Sequence, residues 1–499
     1  MFKWQSGIGR EAMETAHGGN GTAASEAPEV KDYIQGLVKR AAAAQKIAEG
    51  HDQKRVNELT AAVTWFALKE DFRRKAAEML VEESAMGVVE SKFLKIYNKA
   101  KGVYSQMKDD ISVGIVEDDP LRKIVKYVKP MGVIGAILPV TNGEATPIVK
   151  ALWALKTRNA IILAPHPRGK ETCKFIDGYI RSVLKKYNAP EDLVITLDPE
   201  QVSVESSQEL MKQVDFVVAT GGTPMVREAY SSGTPTIGVG TGNVVTYIDN
   251  SANPDEAADR IKRSKMFDNG SSCSSENSAV IHKDVYDAML TAFEKAGAFI
   301  VRDGSEEKAK LQKTIWPQWP AKNVLNRDIP AASVSKIAEL AGITIPDDRV
   351  IIVIEENGGI GRQYPFTGEK LSLMVTLIKA NDFDDALDKM EAILEYQGKG
   401  HSCGIHHNGK DDLVNKMALR MKVSRLLVNQ PHTLGNSGSW FNGMPNTMSL
   451  GCSTWGHNST GNNLTWRDIV NYTVVSRPFD PVQPKDEDLF PEEIRNAVL

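Results

Sequence analysis

The sequence predicts an α/β fold with parallel sheets behind an N-terminal helical layer. Three observations support this prediction. Apolar side chains recur at helical spacing from Tyr33 to about Met107, short β-branched segments then alternate with amphipathic helices, and a second alternating series fills the later part of the chain. Strands that alternate with helices form parallel sheets covered on both faces, so we expect two α/β units.

The first series gives its elements in a regular order. The predicted strands are 133–138, 160–163, 193–197, 214–219 and 244–248. The predicted helices between them are 148–155 and 176–187. Each strand is short, apolar and rich in β-branched residues, as expected for strands buried on both faces.

The second series repeats this style without repeating the sequence. The predicted strands are 278–281, 350–354, 373–378 and 426–429, and the helices are 285–296, 383–393 and 413–421. Gly297 is the expected terminator of the first of these helices. Residues 466–475 form a further candidate strand that needs a partner, and the proline-rich, acidic tail from Arg477 is expected to lie along a surface.

Residues 1–28 show no periodicity and contain Gly18-Gly19-Asn20-Gly21, so they are expected to form a flexible leader. Two roles are open for it: an inert tail, or a signal for packaging into a protein shell such as a bacterial microcompartment. Its composition favours the tail.

The composition restricts the partners. A chain of 499 residues with 41% hydrophobic and 25% charged residues can build two or three domains. Its net charge of −4 provides no basic field, which argues against nucleic acid or a membrane and favours small-molecule ligands. The longest apolar run, residues 133–140, is too short to span a bilayer.

The cysteines and histidines are scattered. Four separated cysteines with no C-x-x-C pair argue against a disulfide framework and a structural zinc site, and fit a reducing cytoplasm. The histidines show no H-x-x-x-H spacing, so no metal is expected. No G-x-S-x-G elbow or P-loop motif is present, which excludes the common serine hydrolase and P-loop signatures.

Cys273 is the strongest chemical candidate. It lies in the small, polar stretch FDNGSSCSSENS at residues 267–278, which could hold a thiol open to a substrate. A cysteine acts as a nucleophile through its thiolate, so a reactive cysteine needs such a polar, partly open setting. An isolated intracellular cysteine is more often an ordinary buried residue, and the neighbouring motifs decide against that alternative.

Three glycine-containing or basic turns are candidate ligand sites. The strand at 214–219 runs into Thr220, Gly221 and Gly222, with Thr223 as the expected N-cap, and a helix N-terminus there suits a phosphate group or is an ordinary tight turn. The stretch GVGTGN at 238–243 does not match G-x-G-x-x-G, and its glycines are expected to allow a close backbone approach. The turn at 164–170 places a histidine and two cations at a strand end, as a ribose site or a solvated turn.

Five motifs together resemble the aldehyde dehydrogenase superfamily, and more narrowly its CoA-acylating branch. They are PVTN at 139–142, LKTRNA at 155–160, ATGG at 219–222, FDNG at 267–270 with Cys273, and EKLS at 369–372. The similarity runs in order from about residue 30 to about 477. The stretches 439–445 and 450–456 look most like acylating sulfoacetaldehyde dehydrogenases.

The resemblance implies a division of the chain. It implies a dinucleotide-binding domain at 29–262, interrupted near 120–132 by an oligomerisation strand, and a catalytic domain at 263–445. Residues 446–499 would return to the cofactor domain and add a second oligomerisation strand and the tail. A β arm combining strands near 123–129 and 466–475 would then join subunits into a homodimer or homotetramer.

The resemblance also implies roles for individual residues. Cys273 would attack the aldehyde, Asn142 would donate to the oxyanion, and His401 would position substrate or assist the thiol, or pack beneath the site. The residues implied for the dinucleotide are Thr141, His166, Pro167, Arg168, Thr220, Gly221, Gly222, Val239, Gly240, Glu369 and Leu371. The candidates for the substrate are Ser272, Ser274 and Asn442. Either NAD or NADP fits: Arg168 or Lys170 could pair with the 2′-phosphate of NADP, yet similar Pro-His-Pro-Arg stretches occur in relatives that use NAD.

One departure from the wider superfamily bears on the acyl acceptor. Hydrolytic members carry a glutamate in the loop that corresponds to residues 240–243, where it activates water. This loop has no glutamate, so transfer of the acyl group to coenzyme A is the better expectation. The preferred substrate is sulfoacetaldehyde, with acetaldehyde or propionaldehyde as the alternative. Three rival functions stay open at this point: a hydrolytic enzyme, a reductase running in the reverse direction, and a binding protein without catalysis.

Overall fold

The computed structural model describes residues 26–497. Most of the leader expected at 1–28 therefore lies outside the described residues, although its last residues, from Glu26, begin a helix. The helices of the N-terminal half are α1 (Glu26–Ala48), α2 (Gln53–Ala67), α3 (Glu70–Ser84), α4 (Val89–Met107), α5 (Thr146–Lys156), α6 (Lys170–Lys186), α7 (Val204–Gln213) and α8 (Thr223–Ser231). The first four form the predicted helical layer, and their apolar faces join the core beneath them.

The first seven strands divide between two sheets. They are β1 (Gly114–Asp119), β2 (Ile124–Pro130), β3 (Val133–Ile137), β4 (Ala160–Ala164), β5 (Val194–Thr196), β6 (Phe216–Thr220) and β7 (Thr236–Val239). Strands β3 to β7 form a parallel sheet in the order β5-β4-β3-β6-β7. This confirms the first predicted α/β unit. Its strand order reverses beside β3, the point at which ligands bind in open α/β sheets.

The second half carries the remaining strands. They are β8 (Val244–Ile248), β9 (Glu276–His282), β10 (Ala298–Val301), β11 (Ile351–Glu355), β12 (Met374–Ala380), β13 (Cys403–His406), β14 (Leu426–Val428) and β15 (Val470–Ser476). Strands β8 to β14 form a seven-stranded parallel sheet in the order β10-β11-β12-β9-β8-β13-β14. The second α/β unit expected from the sequence is therefore present.

The helices of the second half cover this sheet and the chain end. They are α9 (Pro254–Met266), α10 (Tyr286–Lys295), α11 (Glu306–Ile315), α12 (Val334–Ala341), α13 (Phe383–Tyr396), α14 (Asp411–Arg420), α15 (His432–Gly435), α16 (Asp486–Leu489) and α17 (Glu492–Arg495). Short 3-10 turns precede several elements, and one of them, Phe267–Gly270, opens the loop at residues 267–275 that carries Cys273 and is called the Cys273 loop below. Within the described residues, no helix has both the length and the apolar character needed to cross a bilayer.

The division between the two units differs from the expected boundary at 262. Strand β8 hydrogen-bonds to β9 and β13, so it belongs to the seven-stranded sheet. The first sheet ends with β7 at Val239, and the crossing from one sheet to the other falls at residues 240–243. The apolar run of β8 predicts a buried strand, but it does not indicate which sheet contains that strand.

A three-stranded antiparallel sheet forms the predicted arm. Strand β2 lies between β1 and β15, and residues 124–130 pair with residues 470–476. The candidate strand at 466–475 therefore finds its partner, although Trp466–Asp468 is a 3-10 turn and the strand begins at Val470. The tail beyond Arg477 is exposed and contains only the single-turn helices α16 and α17 among its described residues.

Candidate active site

A cavity of about 430 Å³ lies between the carboxyl ends of the first sheet and the loop that precedes β9. Its walls come from the segments that follow β3, β4, β6 and β7, and from residues 267–274 on the opposite side. Cys273, Asn142 and Glu369 all line it. The chain therefore brings together in one cavity residues that lie far apart in the sequence.

The Cys273 loop is held in an unusual backbone conformation. Asp268 and Asn269 have φ values of +53° and +52°, and Gly270 follows at +66°. Non-glycine residues with left-handed φ are uncommon and persist where surrounding contacts hold them. Asn269 Nδ2 donates to the carbonyl oxygen of Ala331 at 3.0 Å, which is one such contact.

The carboxylate of Asp268 provides the other contacts. It accepts hydrogen bonds from the amide of Val88 at 2.9 Å, from Lys92 Nζ at 2.9 Å, from Lys95 Nζ at 2.7 Å and from Ser271 Oγ at 2.9 Å. Burial opposes the charged form, but the two ammonium groups hold the pKa of Asp268 well below its ordinary value. This ion cluster ties the loop before Cys273 to α4.

Asn142 follows β3 and faces the cavity. Lys95 Nζ donates to Asn142 Oδ1 at 2.9 Å, which fixes the orientation of the side-chain amide. Asn142 Nδ2 donates to Thr141 Oγ1 at 3.3 Å, and an amide nitrogen carries two hydrogens, so one is left to bind a ligand. The arrangement suits a donor to an oxyanion.

The thiol of Cys273 is free and partly exposed. Burial raises its pKa to about 12, and the carboxylate of Glu369 acts in the same direction. Ser272 and Ser274 flank it, and both line the cavity. The Ser274 amide donates to Ser272 Oγ at 3.2 Å, which closes a tight turn around the sulfur.

Glu369 lies across the cavity from the first sheet. Burial raises the pKa of its carboxyl group to about 8, while the backbone amide of Gly242 and Lys265 oppose that shift. Its Oε1 atom is buried and has no hydrogen-bond partner among the described residues. An unpartnered acceptor in this position fits the hydroxyl group of a ribose, which is the role that the resemblance implies for Glu369.

The loop at residues 240–243 lies directly against the Cys273 loop. A Cβ atom on Gly242 would overlap the carbonyl oxygen of Cys273, so only glycine fits there without a shift. Asn243 is buried, and its Nδ2 donates to the carbonyl oxygen of Thr367 at 3.0 Å. The prediction of a close backbone approach is confirmed at Gly242, whereas Gly240 has no such close neighbour.

The predicted phosphate turn also faces the cavity. Thr220, Gly221 and Gly222 line it, together with Val239 and Gly240 from the end of β7. Gly222, not Thr223, is the N-cap of α8, and Thr223 is the first helical residue, because the helix starts one residue earlier than predicted. The free amides at this helix start fit a pyrophosphate group.

The basic turn after β4 contributes fewer residues to the cavity wall than predicted. His166 and Pro167 line the cavity, and His166 Nδ1 accepts a hydrogen bond from the amide of Arg168 at 3.0 Å. Arg168 donates to the carbonyl oxygen of Ser84, and Lys170 donates to that of Pro199 at 3.0 Å. Neither cation is among the cavity-lining residues of the described chain, whereas the predicted Thr141 and Leu371 are.

Two other candidates lie outside the described cavity lining. His401 is fully buried, its Nδ1 is 2.8 Å from Ser402 Oγ, and burial together with Arg425 lowers its pKa well below the ordinary value. Asn442 Nδ2 donates to Gln430 Oε1 at 2.8 Å and to the carbonyl oxygen of Gly435 at 3.0 Å. Their roles remain predictions, and their contacts are with protein groups.

A row of lysines on α4 was not predicted from the sequence. Lys92, Lys95 and Lys99 share the helix face that also carries apolar residues such as Ile96 and Val103. Lys95 Nζ also lies 3.0 Å from Glu144 Oε1, and Glu144 is fully buried. The signal in the sequence was the spacing of three and four residues, which places these lysines on the buried stripe.

The chain matches the aldehyde dehydrogenase family over residues 6–312. It is 40% identical over 466 residues to a sulfoacetaldehyde dehydrogenase of an Acholeplasma species, covering 93% of this chain and 95% of that protein. It is 41% identical to a sulfoacetaldehyde dehydrogenase (acylating) of Bilophila wadsworthia, covering 90% and 95%. The crystal structure of an acetylating aldehyde dehydrogenase from Geobacillus thermoglucosidasius superimposes with a TM-score of 0.87 at 32% identity, covering 93% of this chain and all of the other.

Proposed function

The chain belongs to the aldehyde dehydrogenase family as a CoA-acylating member that uses NAD(P)⁺ and coenzyme A, and on that premise we propose that it converts sulfoacetaldehyde to sulfoacetyl-CoA through a thioester on Cys273. The observation that carries the proposal is the shared cavity of Cys273 and Asn142, beside a loop at 240–243 that has no carboxylate.

The first step is addition of the Cys273 sulfur to the aldehyde carbon. The thiol proton leaves to solvent and the carbonyl π bond breaks as the C–S bond forms, so the oxygen becomes an oxyanion. Asn142 Nδ2 and the backbone amide of Cys273 donate to that oxygen, and Lys95 holds the Asn142 amide in the donating orientation. A preorganised donor of this kind is worth roughly 3 kcal/mol of transition-state stabilisation.

The second step converts this adduct to a thioester by loss of hydride. A nicotinamide bound in the cavity supplies the hydride acceptor. Glu369 would hold the ribose hydroxyls, and the amides at the start of α8, with Gly221 and Gly222, would hold the pyrophosphate. As the hydride leaves the carbon, the oxyanion collapses to the carbonyl of the Cys273 thioester.

The third step is transfer of the acyl group to the thiol of coenzyme A. The thiol sulfur attacks the thioester carbon, the bond to Cys273 breaks, and the proton of the coenzyme A thiol passes to the leaving Cys273 sulfur, which restores the enzyme thiol. Without a carboxylate in the loop at 240–243 no group there activates water, and thiol exchange conserves the thioester energy. In total, aldehyde, NAD(P)⁺ and coenzyme A give acyl-CoA, NAD(P)H and a proton.

A panel of aldehydes tests this proposal. The protein is assayed with sulfoacetaldehyde, acetaldehyde and propionaldehyde, with and without coenzyme A, and with NAD⁺ and NADP⁺ supplied separately. We expect reduced dinucleotide to form only with coenzyme A, with the highest kcat/KM for sulfoacetaldehyde. Free acid without coenzyme A would indicate a hydrolytic enzyme, and a preference for acetaldehyde or propionaldehyde would reassign the substrate.

Cys273→Ala tests the nucleophile. We expect loss of activity by more than about a thousandfold with an unchanged thermal unfolding curve, because no other group replaces the covalent step. Cys173→Ala is the matched control, since Cys173 is buried against Thr196 Oγ1 at 3.3 Å in the first unit. Full activity in Cys273→Ala would contradict the assignment.

We place the protein in the cytoplasm as a homodimer or homotetramer. The four separated cysteines fit a reducing compartment. The arm supports assembly, because β15 pairs with β2 on one side only and its residues are largely exposed. An unpaired strand edge is a site at which another chain can add.

A further inference from the structure

One cation of the cavity wall has no anionic partner. Lys99 lies on α4, one turn beyond Lys95, and its side chain contributes to the wall of the cavity that contains Cys273. Nζ donates to the carbonyl oxygens of Ser437 and Gly438, each at 2.8 Å, and to Ser437 Oγ at 2.7 Å. Among the described residues, no carboxylate oxygen lies within 4.0 Å of it.

The neighbouring lysines differ in this respect. Lys95 Nζ lies 2.7 Å from Asp268 and 3.0 Å from Glu144, and Lys92 Nζ lies 2.9 Å from the same Asp268 carboxylate. Their two charges are therefore matched by two carboxylates. Burial lowers the pKa of Lys99 to about 7, with Lys95 adding repulsion. Lys99 is partly buried, and an ammonium withdrawn from water without a counterion is costly, so an anion bound in the cavity would reduce that cost.

Ser437 extends the same site. Its hydroxyl oxygen accepts a hydrogen bond from Lys99, so its own hydrogen is free to bond a second acceptor, and Ser437 also lines the cavity. A hydroxyl that accepts from an ammonium group is a strengthened donor. Lys99 and Ser437 thus present a positive charge and a polarised hydroxyl on the wall shared with Cys273 and Asn142.

We propose that Lys99 and Ser437 bind the anionic group of the aldehyde, so that they select a sulfonated aldehyde over a neutral one. The inference rests on the proposed function and names the residues that give it substrate specificity. The sulfonate supplies both the counterion for Lys99 and oxygen acceptors for Ser437.

Lys99→Met tests the proposal, because methionine keeps the unbranched length and removes the charge. We expect kcat/KM for sulfoacetaldehyde to fall about 10- to 100-fold, mainly through KM, since the variant no longer supplies a positive charge that attracts the sulfonate. For acetaldehyde we expect a change of less than about threefold. Lys99→Arg should retain a preference for sulfoacetaldehyde, and Ser437→Ala should lose part of it.

Lys101→Met is the matched control. Lys101 lies on the same helix, is exposed, and contacts Tyr97 rather than the cavity. We expect Lys101→Met to have the same kcat/KM as the wild type for both aldehydes. An equal loss on both aldehydes in Lys99→Met would indicate a structural role and overturn the proposal, and so would a rise in KM for coenzyme A alone.

A second measurement separates this inference from the substrate assignment. We expect 2-hydroxyethanesulfonate to inhibit acetaldehyde oxidation competitively in the wild type and at least tenfold more weakly in Lys99→Met. If the wild type does not favour sulfoacetaldehyde but this inhibition still depends on Lys99, the proposed substrate fails and the anion site stands. If inhibition is equal in both proteins, the anion site is wrong.

Discussion

Cys273 is held in a setting that suppresses its ionisation. Burial and the carboxylate of Glu369 together raise its pKa to about 12, far above the ordinary value of about 8.5 for a cysteine. The neutral thiol therefore predominates through the physiological range. Since only the thiolate attacks a carbonyl, the reaction needs a proton to leave the sulfur before or during addition.

The alkylation rate of Cys273 by iodoacetamide measures this directly. With the thiol pKa well above the working range, we expect the rate to rise about tenfold per pH unit from pH 7 to pH 10 without reaching a plateau. Cys273→Ser provides the background from the other three cysteines, which are all buried. A plateau below pH 9 would show that the thiolate forms far more readily than the geometry indicates.

The contribution of Glu369 to the pH dependence of alkylation can be tested with a second variant. Its own carboxyl pKa is raised to about 8, so it carries a full negative charge only above that pH. Glu369→Gln removes this charge and should lower the thiol pKa, which makes alkylation at pH 9 faster than in the wild type. Both proteins should behave alike near pH 6, where Glu369 is protonated.

At the scale of elements, the sheets were predictable and the connections between them were not. Strands such as β3, β4 and β12 are continuous apolar runs, and the sequence pattern locates them within a few residues. Strands β7 and β13 escaped prediction because each has four residues, including glycine and polar groups. Short strands of this composition acquire their pairing from the sheet around them.

The site was predictable to a similar degree. The motifs that surround Cys273, Gly221 and Glu369 do meet in one cavity. The Lys95–Asp268 pair joins residues 173 positions apart, and a lysine on an apolar helix face usually extends its charge to solvent. No local pattern distinguishes that behaviour from a buried ion pair. The contacts of Lys95 and Lys99 could therefore be found only from the structure.

The loop at 240–243 gives an element-scale prediction. Gly242→Ala would place a methyl group against the carbonyl oxygen of Cys273, so one of the two loops must move. We expect kcat to fall at least about tenfold, because small displacements of reacting groups are costly, and stability to fall by about 1–3 kcal/mol. Steady-state kinetics and urea denaturation measure these changes.

Gly178→Ala is the control for that experiment. Gly178 lies on an exposed position of α6, and a Cβ atom there meets open space. We expect unchanged kinetics and a gain of about 0.5–1 kcal/mol, because alanine favours the helix. If Gly242→Ala matched this control in both measurements, the close contact between the loops would have no functional role.

At the scale of the whole molecule, the arm is the part that one chain leaves incomplete. The two parallel sheets are covered by helices and bury their apolar residues in large cores. The three-stranded sheet instead exposes most of β15, including Tyr472 and Val474, which are 42% and 55% exposed. Apolar side chains beside an unpaired strand edge favour association with a second copy of the chain.

Val474→Lys tests this association. A charge on the exposed strand should weaken packing against another subunit and discourage pairing at the strand edge, without altering either parallel sheet. We expect the molar mass from size-exclusion chromatography with light scattering to fall from a dimer or tetramer toward a smaller species at low micromolar concentration. Ile47→Lys, at a 60%-exposed position on α1, should keep the wild-type mass. A wild-type mass in Val474→Lys, or a monomeric wild-type protein, would rule out assembly through this strand.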